Sequence, residues 1–76
     1  MNKQRRAELE KIKDLASDMH YRLVVVKNEE EEYRDNMPEN LQNSEKYERA
    51  DEIVSELEEA LDQLEEIIDI LERSRE

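Results

Sequence analysis

The sequence predicts an all-α fold: an antiparallel two-helix hairpin, coiled-coil-like, that dimerises into a four-helix bundle. Three observations predict it. Two long segments carry apolar residues at alternating steps of three and four, the period of a helix with one buried face. The 76 residues contain no Gly and a single Pro, Pro38. One short polar stretch, RDNMPENLQNSEKY (34–47), separates the two segments and holds that Pro together with three of the five Asn residues. One domain spans residues 1–76, with helix 1 at about 3–34, a connector at 35–43 and helix 2 at about 44–74.

In the first segment the apolar row is Leu9, Ile12, Ala16, Met19, Leu23, Val26, Tyr33 and Met37. Its steps form a heptad seam with one missing member, Glu30, which belongs at a water-exposed end because a buried, unpaired carboxylate costs several kcal/mol. Within RLVVVK, the run Val24–Val25–Val26 has β preference, yet the surrounding period favours a helix with a locally broad apolar face.

The connector contains its own punctuation. Asn36 followed by Glu39 reads as an N-cap with a carboxylate three residues on, and Pro38 suits an early first turn. Ser44, followed by Glu45, is a second N-cap candidate and the entry to helix 2. Met37 and Leu41 are placed to fold back over the bundle end, above Tyr33 and Tyr47.

The second segment repeats the seam without a gap: Tyr47, Ala50, Val54, Leu57, Leu61, Leu64, Ile68 and Leu71. A second row, Ile53, Ala60 and Ile67, runs beside it, so three positions per heptad are apolar. A face this wide suits a bundle better than an isolated two-stranded seam. Two segments of about 30 residues joined by a short corner imply helices about 45 Å long, packed antiparallel. That pairing lays the basic start (Lys3, Arg5, Arg6, Lys11, Lys13) beside the acidic end (Glu65, Glu66, Asp69, Glu72). A two-helix layer exposes half of each apolar face, and a chain this small often completes its core with a partner.

Charge bounds the function. Asp and Glu number 23 against 12 Lys and Arg, a formal net charge of −11, and residues 28–72 alone carry 18 acidic and three basic residues. Such a chain repels phosphate backbones and anionic membranes, so direct nucleic-acid binding and membrane binding are not expected. No apolar run approaches the ~20 residues of a membrane span, no signal-peptide pattern follows the basic start, and a cytoplasmic location is expected. There is no Cys, hence no disulfide or thiolate metal site.

Catalytic chemistry has no evident home, and the chain is read as a non-enzyme without cofactors. His20 is the only histidine, and Ser17 stands where a di-iron bundle would need Glu three residues before it. Glu29–Glu32 are consecutive in a helix, point four ways and do not converge on one cation. Ser17, Ser44, Ser55 and Ser74 have no base to pair with.

The block EEEEYRDNMPENLQNSEKYERAD, followed by LEEALDQLEEIID, resembles a family of small acidic hypothetical proteins from bacterial genomes and their phages. Members share an acidic run, a D-N-M/L-P-E-x-L-Q-x-S-E corner and a repeating L-E-E-A-type helix. The similarity covers residues 29–72, and Asp35 to Glu45 is its specific part. It implies a helical-hairpin fold and a mobile-element origin, and it supplies no mechanism. Residues 1–28 rest on the physical reading alone.

Two functional readings follow. The first is a non-catalytic protein–protein interaction module whose partners are itself, as a homodimer, and an unidentified protein. Its dimer or bundle core would comprise Leu9, Ile12, Met19, Leu23, Val26, Tyr33, Tyr47, Ile53, Val54, Leu57, Leu61, Leu64, Ile67, Ile68 and Leu71. Its partner contact would lie at Glu39, Asn40, Gln42 and Asn43, amides beside an acid with more side-chain variety than a plain turn requires. The second is a DNA mimic that docks the acidic face of helix 2 into the basic groove of a nucleic-acid-binding or host-defence protein.

Overall fold

The structure is a computed structural model and describes residues 1–74. Helix α1 spans Lys3–Asp35, a single 3₁₀ turn covers Glu39–Leu41, and helix α2 spans Glu45–Ser74. The two helices pack against each other as a hairpin whose longest dimension is 60 Å. No strand occurs among the described residues, and the valines of RLVVVK lie within α1.

Local chemistry sets the ends. The Asn2 side-chain oxygen accepts the Arg5 backbone N–H at 2.8 Å and starts α1. Asn36 acts differently from the N-cap its spacing suggests: its backbone N–H donates to the carbonyls of Glu32 and Arg34 and closes the C-terminus of α1. Pro38 follows two residues later, where a residue without an N–H cannot continue the helix. Ser44 starts α2, its hydroxyl donating to the Leu41 carbonyl at 2.5 Å and accepting the Tyr47 N–H at 3.3 Å.

The core is thin. Ala16, Ala50, Val54, Leu61 and Leu64 are the buried residues. Leu9, Leu23, Leu57, Ile68 and Leu71 are half-buried along the same seam, as are Ile53 and Tyr47. On α2 the buried row follows the apolar heptad. On α1 the row facing α2 is Leu9, Lys13, Ala16, His20, Leu23, Lys27, Glu30, Arg34 and Met37. It shares Leu9, Ala16, Leu23 and Met37 with the row read from the sequence, but alternate members differ. Lys13, His20, Lys27 and Arg34 stand where Ile12, Met19, Val26 and Tyr33 could have stood. Those four apolar side chains are 41%, 54%, 50% and 51% exposed. Adjacent residues lie 100° apart on a helix, so a small rotation of α1 selects one set or the other. The rotation adopted brings bases to the carboxylates of α2. Glu30 is half-buried rather than solvated, and Leu41 is exposed instead of plugging the end.

This shape leaves much surface unburied. A compact 76-residue domain has a radius of gyration of about 11 Å, whereas the hairpin's is 17.4 Å. Its accessible surface is 6069 Å², against about 4,900 Å² expected for a compact monomer of its mass.

Candidate interaction surfaces

The hairpin has two unlike sides. One is a ladder of opposite charges. Lys13, His20, Lys27 and Arg34 recur every seven residues on α1, and Asp51, Glu58, Glu65 and Glu72 recur every seven on α2. Read antiparallel, each base falls beside one acid. Arg34 Nη1 donates to Asp51 Oδ1 at 2.8 Å, and the His20 and Glu65 side chains meet at 3.0 Å. Lys27 lines one shallow groove with Glu58, Leu61, Asp62 and Glu65, while its ammonium binds Glu31 on its own helix at 3.1 Å. Lys13 pairs with Glu10 at 3.6 Å.

Arg34 also donates through Nε to Asp35 at 3.0 Å. That hydrogen bond, with the one to Asp51, holds the guanidinium above its ordinary pKa against the opposing effect of burial, so it stays charged at any pH the fold survives. Pairs this open to solvent add little to stability. Their main consequence is register: sliding the helices by one heptad strands an end rung, and sliding by less sets bases against apolar residues.

The opposite side is apolar. Ile12, Leu15, Met19, Val26 and Tyr33 run along α1, with Leu15 70% exposed. The helical phase of α2 puts Ile53, Ala60 and Ile67 on the same side. Ile67 is 49% exposed, and Ile53 and Ala60 are half-buried. The sequence reading grouped Ile12, Met19, Val26, Tyr33, Ile53 and Ile67 with the bundle core, and within one hairpin they form its uncovered half. Leu15 escaped that reading because it lies off the strict heptad row.

At the corner, Tyr33, Met37, Pro38 and Leu41 line an open groove with Asn36, Ser44, Glu45 and Lys46. Glu39, Asn40, Gln42 and Asn43 are all exposed beside it. Their side chains make no hydrogen bond or ion pair among the described residues, so none acts as a cap. A clean contrast follows. Ser44→Ala is expected to lower stability by about 1 kcal/mol through loss of the cap. Asn40→Ala and Gln42→Ala are expected to stay within about 0.5 kcal/mol. Urea melts followed by circular dichroism check both, and an equal loss at Asn40 would mean the corner amides are structural.

The acidic face of α2 is open to solvent. Glu48, Asp51, Glu52, Glu56, Glu58, Glu59, Asp62, Glu65, Glu66 and Asp69 are all exposed. No group of three His, Asp or Glu side chains converges to hold a metal ion among the described residues. Nor is any helix among them long and apolar enough to cross a membrane. The signal for the ladder was present in the sequence, as two sets of opposite charges at a common spacing of seven running in opposite directions. Compared with models of protein families, with curated proteins and with solved structures, the chain matches none.

Proposed function

We propose that the protein is a non-catalytic interaction module that works in the cytoplasm as a homodimer, two hairpins closing into an acidic four-helix bundle. The observation that carries this reading is the uncovered apolar side. The hairpin's surface exceeds that of a compact monomer by about 1,100 Å². That excess is close to the ~800 Å² each partner buries in a stable interface of ordinary size. The apolar residues needed to fill it already stand in heptad phase, and bundling is how helical hairpins bury such a row. Light scattering at micromolar concentration tests it: a mass of twice the 9.2 kDa chain is expected, and a monomer mass would defeat it. Beyond the dimer, Glu39, Asn40, Gln42 and Asn43 are the first candidates for contact with a second protein, since their side chains serve no bond of the hairpin itself.

The ten solvent-facing carboxylates of α2 favour a second reading, a mimic of the nucleic-acid backbone that occupies the basic groove of a DNA-binding or defence protein. The resemblance read from the sequence, to small acidic proteins of bacterial genomes and their phages, would fit such a role. Such binding must weaken steeply with salt and compete with duplex DNA. Failure of the immobilised protein to retain any DNA-competed basic protein at low salt removes this reading and leaves the dimer untouched.

A further inference from the structure

We infer that the two hairpins of the dimer run in opposite directions, corners at opposite ends, with α1 lying antiparallel on the partner's α1 about a two-fold axis near Met19. The inference rests on the dimer reading and deepens it by naming what the exposed row of α1 touches. Two independent observations carry it.

The first is the charge along the hairpin. Its corner end, residues 27–52, holds four basic and ten acidic residues, a net of −6. Its open end, residues 1–13 and 63–74, holds six of each and is neutral. Placing both corners together sets −6 against −6. Placing them apart sets each −6 end against a neutral one, with Lys3 and Arg6 running beside the partner's Asp35 and Glu32. Packed helices lie 8–10 Å apart, about one Debye length at physiological salt, so these charges are felt across the interface.

The second is the symmetry of the exposed row. Its heptad positions are Arg5, Ile12, Met19, Val26 and Tyr33, and Met19 is their centre. An antiparallel pairing about that centre sets Met19 on the partner's Met19, Ile12 on the partner's Val26 and Arg5 on the partner's Tyr33. Aliphatic groups meet aliphatic groups, and the guanidinium meets the face of a half-exposed ring, a cation–π attraction. The same register brings Glu8 toward the partner's Glu30. That approach falls beside a groove where Lys46 and Arg49 face Glu30 and Glu45, so it is the unfavourable contact of this register.

The chain has no Cys, so a single Asn40→Cys change gives one spin label per protomer at a corner residue whose side chain bonds to no other among the described residues. Pulsed dipolar spectroscopy on the intact dimer should give a label separation of about 60 Å, twice the rise of some 20 residues at ~1.5 Å each. Corners at the same end would give about 20 Å or less, two or so helix diameters. In addition, Met19→Cys should oxidise to a covalent dimer whereas Ile12→Cys should not, because an antiparallel pairing brings only the central residue within disulfide reach of its own copy and a parallel one would bring both. A short corner distance, or an Ile12→Cys cross-link, overturns the orientation and leaves the dimer standing. A monomer mass by light scattering overturns both.

Discussion

Met19→Glu is expected to turn the dimer into monomers at micromolar concentration. In a lone hairpin Met19 is 54% exposed, and a polar substitution there should cost no more than about 0.5 kcal/mol. At the centre of a bundle the same change buries an unpaired carboxylate, a penalty of several kcal/mol, and the two-fold axis applies it twice. At 1.4 kcal/mol per decade, even one such penalty raises the dissociation constant about a hundredfold or more. Sedimentation equilibrium reads the mass, and melts at two protein concentrations read the linkage of folding to association. An unchanged mass would show that this side of α1 is not the contact. The size of the effect is thus itself diagnostic, because the chemistry of the substitution is identical in both cases and only the surroundings differ.

Leu61→Ala should produce the largest loss among substitutions inside one hairpin. Leu61 is 8% exposed at the middle of α2, where the truncation removes buried carbon and leaves a cavity the two helices cannot collapse to fill. The usual cost is about 2–5 kcal/mol. Set against a typical domain stability of 5–15 kcal/mol, and a core of only a few buried side chains, this should abolish a cooperative melt near room temperature. Val25→Ala is the control. Val25 lies on the side of α1 turned away from both α2 and the apolar row, and alanine is the better helix former, so the change should be neutral within about 0.5 kcal/mol. Circular dichroism at 222 nm with urea titration measures both. Equal losses would mean that α2 does not use the face containing Leu61.

The helices and their packing as a hairpin were legible because the relevant signals are local and redundant. A run such as ELEEALDQLEEIIDILE repeats its apolar period without a breaker, and no tertiary detail is needed to see that it is a helix. The face that α1 turns to α2 was not legible in the same way. Ile12 and Lys13, Met19 and His20, Val26 and Lys27, and Tyr33 and Arg34 are neighbours in sequence, and either member of each pair completes a seam with Leu9, Ala16 and Leu23. Choosing between them needs knowledge of what α2 presents, namely Asp51 and its heptad successors. The reading of Asn36 as an N-cap failed for a related reason. An amide three residues before a carboxylate looks the same whether a helix starts or ends there, and what decided it was the backbone bond to Glu32 that extends α1 to its limit. Ser44 was easier, since nothing before it competes for its hydroxyl except the Leu41 carbonyl.

The charge ladder has a consequence for how far assembly can go. A helical hairpin that is apolar on both sides would stack without limit, each layer offering the next a fresh sticky surface, and the product would be a fibre rather than a particle. Here the side bearing Lys13, His20, Lys27 and Arg34 is paired within the hairpin by Glu10, Glu65, Glu31 and Asp51 in turn, and offers an incoming layer only solvated charge. Growth through the proposed dimer contact would therefore have one productive step and then stop. For the dimer proposed above, an ion-pair row that adds little to stability would be the terminator that fixes the stoichiometry at two.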